Sequence, residues 1–308
     1  MKILIVGLPM FARQLAADLS AFDRENTYVS CDTYYSSIGK LKYLFHLPTA
    51  HIVHSINGSI CGSKVFDLAI RTRKKLMMHW VGTDVLKSAK NLENNLVNKD
   101  FVDKASHFCE PEWIKEELIS IGIKAKLLTF TTLDTDSDYV RDNPKEFSVL
   151  SYIGNNREDF YGFDNLLKLA NEFPSVTFNI VGTTEKEHVL PVNINMLGWV
   201  DNIYELYKNN ILYLRLTEHD GLSSSVLEAM SCGCHVMWTC KFPHAFHAST
   251  YKQLSEQFRV LMLQFNSGKL EVNQPGIDYI KEHFERTKVL HRLKDVYKRL
   301  ITSTINED

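Results

Sequence analysis

The stretch "TEHDGLSSSVLEAMSCG", Thr217 to Gly233, decides how this chain is interpreted. It follows the apolar run "ILYLRL" and precedes the apolar run "HVMWT", so a strand, a loop, a helix and another strand are expected in that order. Gly221 allows the tight turn that the loop needs, and Ser223 is a preferred helix N-cap. The pattern therefore predicts a helix that begins beside the carboxyl end of a strand.

The start of this helix is a candidate phosphate site. The amides of residues 222–225 have no partner within a helix, and the helix dipole adds partial positive charge there. Ser224 and Glu228 are four residues apart and therefore share one polar stripe. Glu228 can then offer a carboxylate to two ribose hydroxyls, and Asp220 lies before the helix on the loop. The alternative is an ordinary amphipathic helix with solvated acids.

The rest of the chain alternates apolar runs with amphipathic stretches, as in "KILIVG", "HIVHSIN" and "KLMMHWVG" of the first half and "FSVLSYIG" and "VTFNIVG" of the second. This alternation is typical of parallel βαβ units. The segment "TTLDTDSDYVRDNPKEF", Thr131 to Phe147, is the best linker. From Ile277 onward the helical spacing predicts one closing helix. We therefore predict two doubly wound, Rossmann-like α/β domains, residues 1–138 and residues 139–308, the second including the closing helix.

Composition narrows the function class. With 44% hydrophobic and 23% charged residues among 308, the chain is globular, and a net charge of -2 argues against a nucleic-acid partner. No apolar run approaches the ~18 residues of a spanning helix, and "MKILIVGLPMF" is expected to be a strand and not a signal peptide. Six cysteines without regular spacing indicate reduced thiols and a cytoplasmic protein, either free or peripheral at the inner face of a membrane. The basic run "RTRKK" (residues 71–75) is either a solvated helix end or a contact for anionic lipid.

Three other signals are weak. Gly7 opens "GLPMFA", in which Pro9 and Ala12 replace the glycines of a nicotinamide-binding loop, so Gly7 is interpreted as the start of a ligand-facing loop. The aspartates of "DTDSD" (residues 134–138) lie in the linker and indicate a turn. The cysteines and histidines between Cys232 and His247 match no usual zinc spacing. We therefore expect no bound metal.

The segment "EHDGLSSSVLEAMSCGCHVMWT" resembles the E-x7-E segment of GT-B glycosyltransferases, especially the retaining family four. The preceding "NINMLGWVDNIYELYKNNILYLRLT" is similar to that family's strand, glycine turn, helix and strand, and "MMHWVGTDVL" resembles its His-Gly-x-Asp segment. The likeness covers most of the chain. It implies a GT-B fold, with two Rossmann-like domains facing a cleft.

The resemblance also implies an activity: a sugar moves from a nucleotide-diphosphate-sugar donor to a hydroxyl of a glycan or lipid-linked acceptor, in polysaccharide or glycoconjugate synthesis, with retention and without a cofactor or metal. Glu228 would bind the ribose, and Asp220 would bind the hydroxyls of the transferred sugar. The phosphates would lie on the turn and helix start formed by Gly221, Leu222, Ser223 and Ser224.

The remaining implied roles concern the nucleobase and the acceptor. Gly198 and Trp199 would lie near the nucleobase, while His79 would lie near the donor sugar and Asp84 near the acceptor. In an inverting enzyme, His79 or Asp84 would be the candidate general base.

The chain departs from the family pattern at charged positions. The first acid is Asp220 and not Glu, and "YIGNNREDFYGFD" has Asn155 and Tyr161 where the family tends to have Arg and Lys. Arg157 and Arg215 are the available replacements for the cations that neutralise the leaving diphosphate. A sugar-nucleotide epimerase of the same fold and a catalytically weak nucleotide-sugar-binding protein remain the alternatives.

Overall fold

A computed structural model describes residues 1–133, 144–184 and 190–302. The chain divides into two compact units, Leu133–Glu285 and a unit that joins Met1–Thr132 to the segment that begins at Arg286. The "DTDSD" stretch and the predicted boundary after residue 138 lie outside the described residues.

The first unit is built on a six-stranded parallel sheet with the strand order β2-β1-β3-β4-β5-β6. Its strands are β1 (Lys2–Gly7), β2 (Thr27–Ser30), β3 (Ile52–Ile56), β4 (Lys75–Trp80), β5 (Ala105–Cys109) and β6 (Lys126–Leu127). Its helices are α1 (Pro9–Phe22), α2 (Ser37–His46), α3 (Lys64–Arg71), α4 (Thr83–Glu93), α5 (Lys99–Asp103), α6 (Glu112–Ser120) and the last helix, α12 (Arg286–Thr302). A short 3-10 turn, Leu47–Thr49, follows α2.

The second unit repeats this architecture with the strand order β12-β11-β10-β7-β8-β9, also parallel. Its strands are β7 (Ser148–Tyr152), β8 (Thr177–Val181), β9 (Ile194–Gly198), β10 (Leu212–Arg215), β11 (His235–Trp238) and β12 (Phe246–His247). Its helices are α7 (Phe163–Glu172), α8 (Ile203–Asn209), α9 (Ser224–Ser231), α10 (Tyr251–Asn266) and α11 (Gln274–His283). The predicted α/β fold class with two doubly wound sheets is confirmed.

Continuous apolar runs form the central strands because both faces of each sheet are covered. In β1, the residues Ile3 and Ile5 pack in one core cluster while Leu4 and Val6 pack in the other. Every second side chain thus meets a different layer of helices, so a strand of this kind cannot alternate apolar with polar residues. This is why continuous apolar runs in the sequence identified parallel strands.

The predicted single closing helix is two helices, α11 and α12, and they belong to different units. The break falls at Phe284 and Glu285, where Leu133 pairs with Glu285 and donates its amide to the Phe284 carbonyl. The α11 helix packs on α9, whereas α12 packs on α1. The last helix therefore lies with the N-terminal unit and not with the C-terminal one, because its apolar stripe completes the core beside β1 and β3.

The α12 helix is held by polar contacts as well as by its apolar stripe. Lys294 forms an ion pair with Asp23 at 3.0 Å, and the Tyr297 hydroxyl bonds His54 Nδ1 at 2.8 Å. Side-chain hydrogen bonds, including one from Lys294, lower the pKa of Asp23 although burial opposes that shift.

No helix in the described part of the chain has the length and apolarity that crossing a bilayer requires.

We expect Leu293→Ala to lower the free energy of unfolding of the first unit by about 2–5 kcal/mol, because it leaves a cavity where a fully buried side chain packs. Hydrogen exchange should show lost protection in β1 and β3 and unchanged protection in β7 and β8. Asp295→Ala, at an exposed position of the same helix, is the control and should change little. Loss of protection in β7 instead would contradict the placement of α12 in the first unit.

Candidate functional site

The strand order of the second unit reverses between β7 and β10, and ligands of open α/β sheets bind beyond the carboxyl ends of such a pair. The loops that follow these two strands meet there. The Glu218 amide donates to the Phe160 carbonyl at 3.0 Å. Gly162 has a φ of +69°, and a Cβ at this residue would lie 2.4 Å from the Leu216 carbonyl oxygen. The close contact of the two loops therefore requires glycine at residue 162.

Helix α9 begins at this point, with Ser223 as its N-cap, as predicted. The amides of Val226 and Leu227 donate to the Ser223 carbonyl, which leaves the earlier amides directed out of the helix start. The Ser223 side chain makes no capping bond. The Ser223 hydroxyl instead contacts the Ser225 hydroxyl at 2.9 Å. The Tyr213 hydroxyl donates to the Ser225 hydroxyl at 2.8 Å. A short chain of hydroxyl groups therefore borders the candidate phosphate site.

An ion pair between Arg215 and Asp220 lies beside the start of α9. Arg215 Nε is 2.7 Å from Asp220 Oδ2, and its terminal nitrogen is 3.2 Å from Oδ1, so the contact is bidentate. The two side chains are only 11% and 14% exposed. Burial alone would lower the pKa of Arg215, but the charge of Asp220 raises it, so the guanidinium stays charged. The predicted leaving-group cation and the predicted sugar-binding acid are thus bound to each other.

The ring of Tyr161 brings a second arginine close to this pair. The Arg215 guanidinium carbon is 5.1 Å from the Tyr161 ring centroid, and the Arg157 guanidinium carbon is 5.5 Å from it. Arg157 also stacks on Phe160 at 4.1 Å. Cation–π contacts of this length stabilise both arginines. The tyrosine that replaces the expected lysine therefore holds two cations near the α9 start.

Glu228 lies one turn into α9 in a half-buried position, and Tyr207 of α8 donates its hydroxyl to Glu228 Oε2 at 3.3 Å. Burial raises the pKa of Glu228 to about 7, and the hydrogen bond from Tyr207 opposes part of that shift. Tyr207 could not be predicted as a neighbour of Glu228 from the sequence, because nothing in its spacing relates α8 to α9. The packing of α8 on α9 is what joins the two residues.

Gly198 and Trp199 mark the carboxyl end of β9. Gly198 has a φ of +64°, and a Cβ there would lie 2.8 Å from the Thr184 side chain. Trp199 follows and is 82% exposed, so its indole presents an open stacking surface. β9 is three strands from β10, which corresponds to roughly 14 Å along the sheet at ~4.8 Å per strand. The predicted nucleobase residues thus share an edge with Arg215 but do not touch it.

The first unit has a cavity of about 910 Å³ at its own reversal point, between the carboxyl ends of β1 and β3. Gly7 lines it with a φ of +99°, and a Cβ at this residue would lie 2.2 Å from the Ile56 carbonyl oxygen. The residues that could contact a ligand there include hydroxyl, amide and lysine side chains: Thr33, Tyr34, Lys40, Asn57, Ser59, Lys64 and Lys87. Of the residues that line this cavity, only Gly7 and Asp84 were predicted to lie near a ligand.

Asp84 also lines the cavity but is 3% exposed. Its carboxylate accepts the amides of Gly58 at 2.6 Å and Gly82 at 2.8 Å. Burial raises its pKa, and these amide bonds lower it. Asp84 therefore holds the β3 and β4 loops together at the cavity wall.

His79 is fully buried, and both of its ring nitrogens are bonded. Nε2 is 2.6 Å from the Leu128 carbonyl and Nδ1 is 3.3 Å from His54 Nε2. Burial lowers the pKa of His79 to about 4, so the ring is neutral near pH 7. A neutral ring carries one N–H, which must face the carbonyl, so His54 donates to His79 and Tyr297 donates to His54. The structure therefore gives His79 a structural role, in contrast to the predicted place beside the donor sugar.

Cysteine and histidine residues flank α9 and β11. In the described ranges, no group of three or more His, Cys, Asp or Glu side chains is arranged to hold a metal ion. Cys232 and Cys234 are buried, and Cys234 donates its thiol to the Tyr207 carbonyl at 3.0 Å. These cysteines contribute to packing between α8, α9 and β11.

Solved structures share this architecture over nearly the whole chain. The Anabaena HepE structure in complex with UDP and glucose superposes with a TM-score of 0.71 at 15% identity, covering 97% of this chain and 99% of that one. Sucrose-phosphate synthase from Thermosynechococcus elongatus gives 0.73 at 10% identity, covering 98% and 100%. The chain has the GT-B fold.

A third structure with this fold is the lipopolysaccharide outer core galactosyltransferase WaaB, with a TM-score of 0.67 at 14% identity and coverage of 99% and 100%. No family profile matches the sequence, and no curated protein matches it. The likeness is therefore one of fold, carried by two sheets with reversal points, and not of sequence.

We expect the free energy of unfolding of the wild type to fall relative to Glu228→Gln as the pH rises from 5 to 8, by about 1–2 kcal/mol. The folded chain binds the Glu228 proton more tightly than the unfolded chain does, so this contribution is lost as the pH rises through about 7. Denaturant unfolding of the two proteins at several pH values measures the difference. Glu205→Gln, exposed on α8, is the control and should run parallel to the wild type. A constant difference between wild type and Glu228→Gln would contradict the raised pKa.

Proposed function

We propose that this chain is a glycosyltransferase that moves a sugar from a nucleotide-diphosphate-sugar to a hydroxyl of a glycan or lipid-linked acceptor, with retention, in polysaccharide or glycoconjugate synthesis. The observation that carries the proposal is the buried Arg215–Asp220 pair beside the start of α9, at the reversal point of the second sheet. Structures of the same fold were solved with UDP and glucose and with UDP-glucose, which supports a donor of this chemical class.

The donor would bind along the carboxyl edge of the second unit. Its diphosphate would accept hydrogen bonds from the amides at residues 222–224, where the helix dipole favours negative charge. The Glu228 carboxylate would accept the two ribose hydroxyls. The exposed indole of Trp199, next to Gly198, would stack on the nucleobase.

Arg215 would neutralise the charge that develops on the leaving diphosphate as the glycosidic bond breaks. Asp220 fixes the plane and direction of the guanidinium through two hydrogen bonds, so we assign it as a positioning residue as well as a contact for the sugar. Arg157 would add a second positive charge from the loop after β7. These cations and the helix start supply the positive charge that the reaction needs without a metal ion.

The acceptor would bind in the cavity of the first unit, whose walls carry three lysines and several hydroxyl and amide groups. Such groups suit a sugar or a phosphorylated acceptor. The proposed location is the cytoplasm, either free or peripheral at the inner face of a membrane, as the reduced cysteines and the basic run at residues 71–75 favour.

We expect Glu228→Ala to weaken binding of nucleoside diphosphates by roughly 10–100-fold, because two hydrogen bonds to a charged acceptor are lost. Wild-type affinity should rise between pH 6 and 8 as Glu228 loses its proton, and this pH dependence should be absent in the variant. Calorimetry with uridine and guanosine diphosphates measures both effects. Glu205→Ala is the matched control. Unchanged affinity in Glu228→Ala would contradict the ribose assignment.

We expect Arg215→Ala to lower kcat roughly 100–1000-fold with a smaller change in KM, because the charge on the leaving group forms only during bond breaking. Release of nucleoside diphosphate from nucleotide-sugars, measured in EDTA with and without a hydroxyl acceptor, is the assay. Arg215→Lys keeps the charge but loses the bidentate contact, so its kcat should lie between those of the wild type and Arg215→Ala. Arg157→Ala is the comparison for the second cation, and thermal unfolding checks that each variant is folded.

The same assay separates the competing functions. Transfer to an acceptor, with slow hydrolysis in its absence, supports the transferase. An isomeric sugar-nucleotide as the product would indicate an epimerase, and saturable binding without turnover would indicate a binding protein. Turnover that requires added manganese would contradict the metal-independent mechanism.

A further inference from the structure

Helix α2 presents its apolar side chains to the outside of the first unit. Ile38, Leu41, Leu44 and Phe45 are 79%, 66%, 49% and 80% exposed, and we call these four residues the α2 apolar face. The buried residues of this helix are Gly39 and Tyr43. An ordinary surface helix buries its apolar stripe, so the arrangement here is the reverse of the usual one.

The α2 apolar face occupies one sector of the helix, which it shares only with Ser37 in the first turn. At 100° per residue its four side chains fall within about 120° of the helix circumference. Around the helix, Lys42 lies next to one border of that sector and Lys40 lies next to the other. Tyr34 and Tyr35, which precede the helix, add two exposed aromatic rings. The result is an apolar strip bordered by positive charge on both sides.

The helix is fixed in this orientation by contacts on its inner side. Ser36 caps it by accepting the Gly39 amide, and the Tyr43 hydroxyl donates to the Val65 carbonyl at 2.7 Å. Gly39 packs so closely that a Cβ there would lie 2.1 Å from the Asp32 carbonyl oxygen. A rotation that turned the apolar face inward would break the contacts of Tyr43 with Val65 and of Gly39 with Asp32. The exposure is therefore built into the fold.

Lysines lie around α2, and the nearest acid in the sequence, Asp32, accepts the amides of Tyr34 and Tyr35 just before the helix. The sequence from Thr33 to Phe66 contains no aspartate or glutamate. Lys2 contacts His46 Nδ1 at 2.9 Å, and Lys74 donates to the Pro48 carbonyl at 2.9 Å. The second contact brings the basic run at residues 71–75 to the C-terminal end of α2. Burial, Lys2 and Lys42 all lower the pKa of His46, as expected where positive charges gather.

We propose that the α2 apolar face docks the first unit on a bilayer surface that contains anionic lipids. An apolar helix face bordered by lysines lies in the plane of the lipid headgroups, with its side chains a few ångströms into the acyl boundary. Tyrosine rings are favoured at that depth, and each nearby lysine or arginine adds attraction to anionic headgroups. This docking does not require a bound nucleotide-sugar.

The charge pattern decides against a second copy of the chain as the occupant. A symmetric contact through this face would place Lys40 and Lys42 of one copy near the same residues of the other. Like charges at an interface oppose association, whereas an anionic bilayer complements them. Lys40, Leu44 and both tyrosines also line the cavity of the first unit, so docking would bring the cavity to the lipid surface. If the proposed function holds, a lipid-linked hydroxyl is the acceptor class that this position suits.

Flotation of the full chain with vesicles, in the absence of any nucleotide-sugar, tests the docking. Wild type should float with phosphatidylcholine vesicles that contain phosphatidylglycerol and should float less as salt is raised. Ile38→Ser with Phe45→Ser should reduce vesicle binding at least tenfold. Val260→Ser with Leu263→Ser, which removes two exposed apolar residues of α10, is the matched control and should bind as wild type.

A charge series separates the two contributions. Lys40→Gln with Lys42→Gln should lose the preference for anionic vesicles, whereas Lys252→Gln with Lys269→Gln should retain it. Light scattering gives the oligomeric state of each variant, and nucleoside diphosphate binding shows that the second unit is intact. Equal vesicle binding by wild type and Ile38→Ser/Phe45→Ser would overturn the proposal. A wild-type dimer that becomes a monomer in that variant, without vesicle binding, would overturn it in favour of a second copy.

Discussion

Parallel strand pairing is the constraint on which both units depend. Because every strand of a parallel sheet runs the same way, every crossover helix starts from one edge, and all strand-to-helix loops collect there. Where the strand order reverses, the helices that follow the two neighbouring strands lie on opposite faces of the sheet, which leaves a crevice for a ligand at that edge. In the second unit that point holds Arg215, Asp220 and the start of α9; in the first it holds Gly7 and the cavity. The polar chemistry of the chain is thus located by its topology.

The Arg215–Asp220 pair shows how such a point can remain stable although it buries a charge. A buried guanidinium without a partner is costly, and removing one member of a buried pair typically costs about 3–5 kcal/mol. Asp220 supplies the partner and a fixed direction, and Tyr161 supplies a ring against the same guanidinium. Under the proposed function, an incoming diphosphate would therefore meet a cation that is already desolvated and oriented, and little reorganisation would be needed on binding.

Sequence reasoning reached the architecture and the position of α9, because apolar periodicity and helix-capping residues are local signals. It placed Ser223 at the cap of that helix, and Ser223 is the cap. It could not find Tyr207 beside Glu228 or the burial of His79, because these depend on which helix packs on which strand. The last helix was assigned to the second unit for the same reason: its spacing shows an apolar stripe but not the sheet that the stripe covers.

Helix α2 is a case in which the sequence signal is present but its usual interpretation is wrong. Periodicity shows only that a helix has an apolar side. The usual interpretation is that this side faces the protein core. In α2 that assumption fails, since Gly39 and Tyr43 occupy the inner side and the larger apolar residues face outward. The absence of acids from Thr33 to Phe66 is the one sequence signal that distinguishes this helix from a core helix. An exposed apolar side favours association with another apolar surface. The bordering lysines favour the surface of an anionic lipid bilayer for this contact.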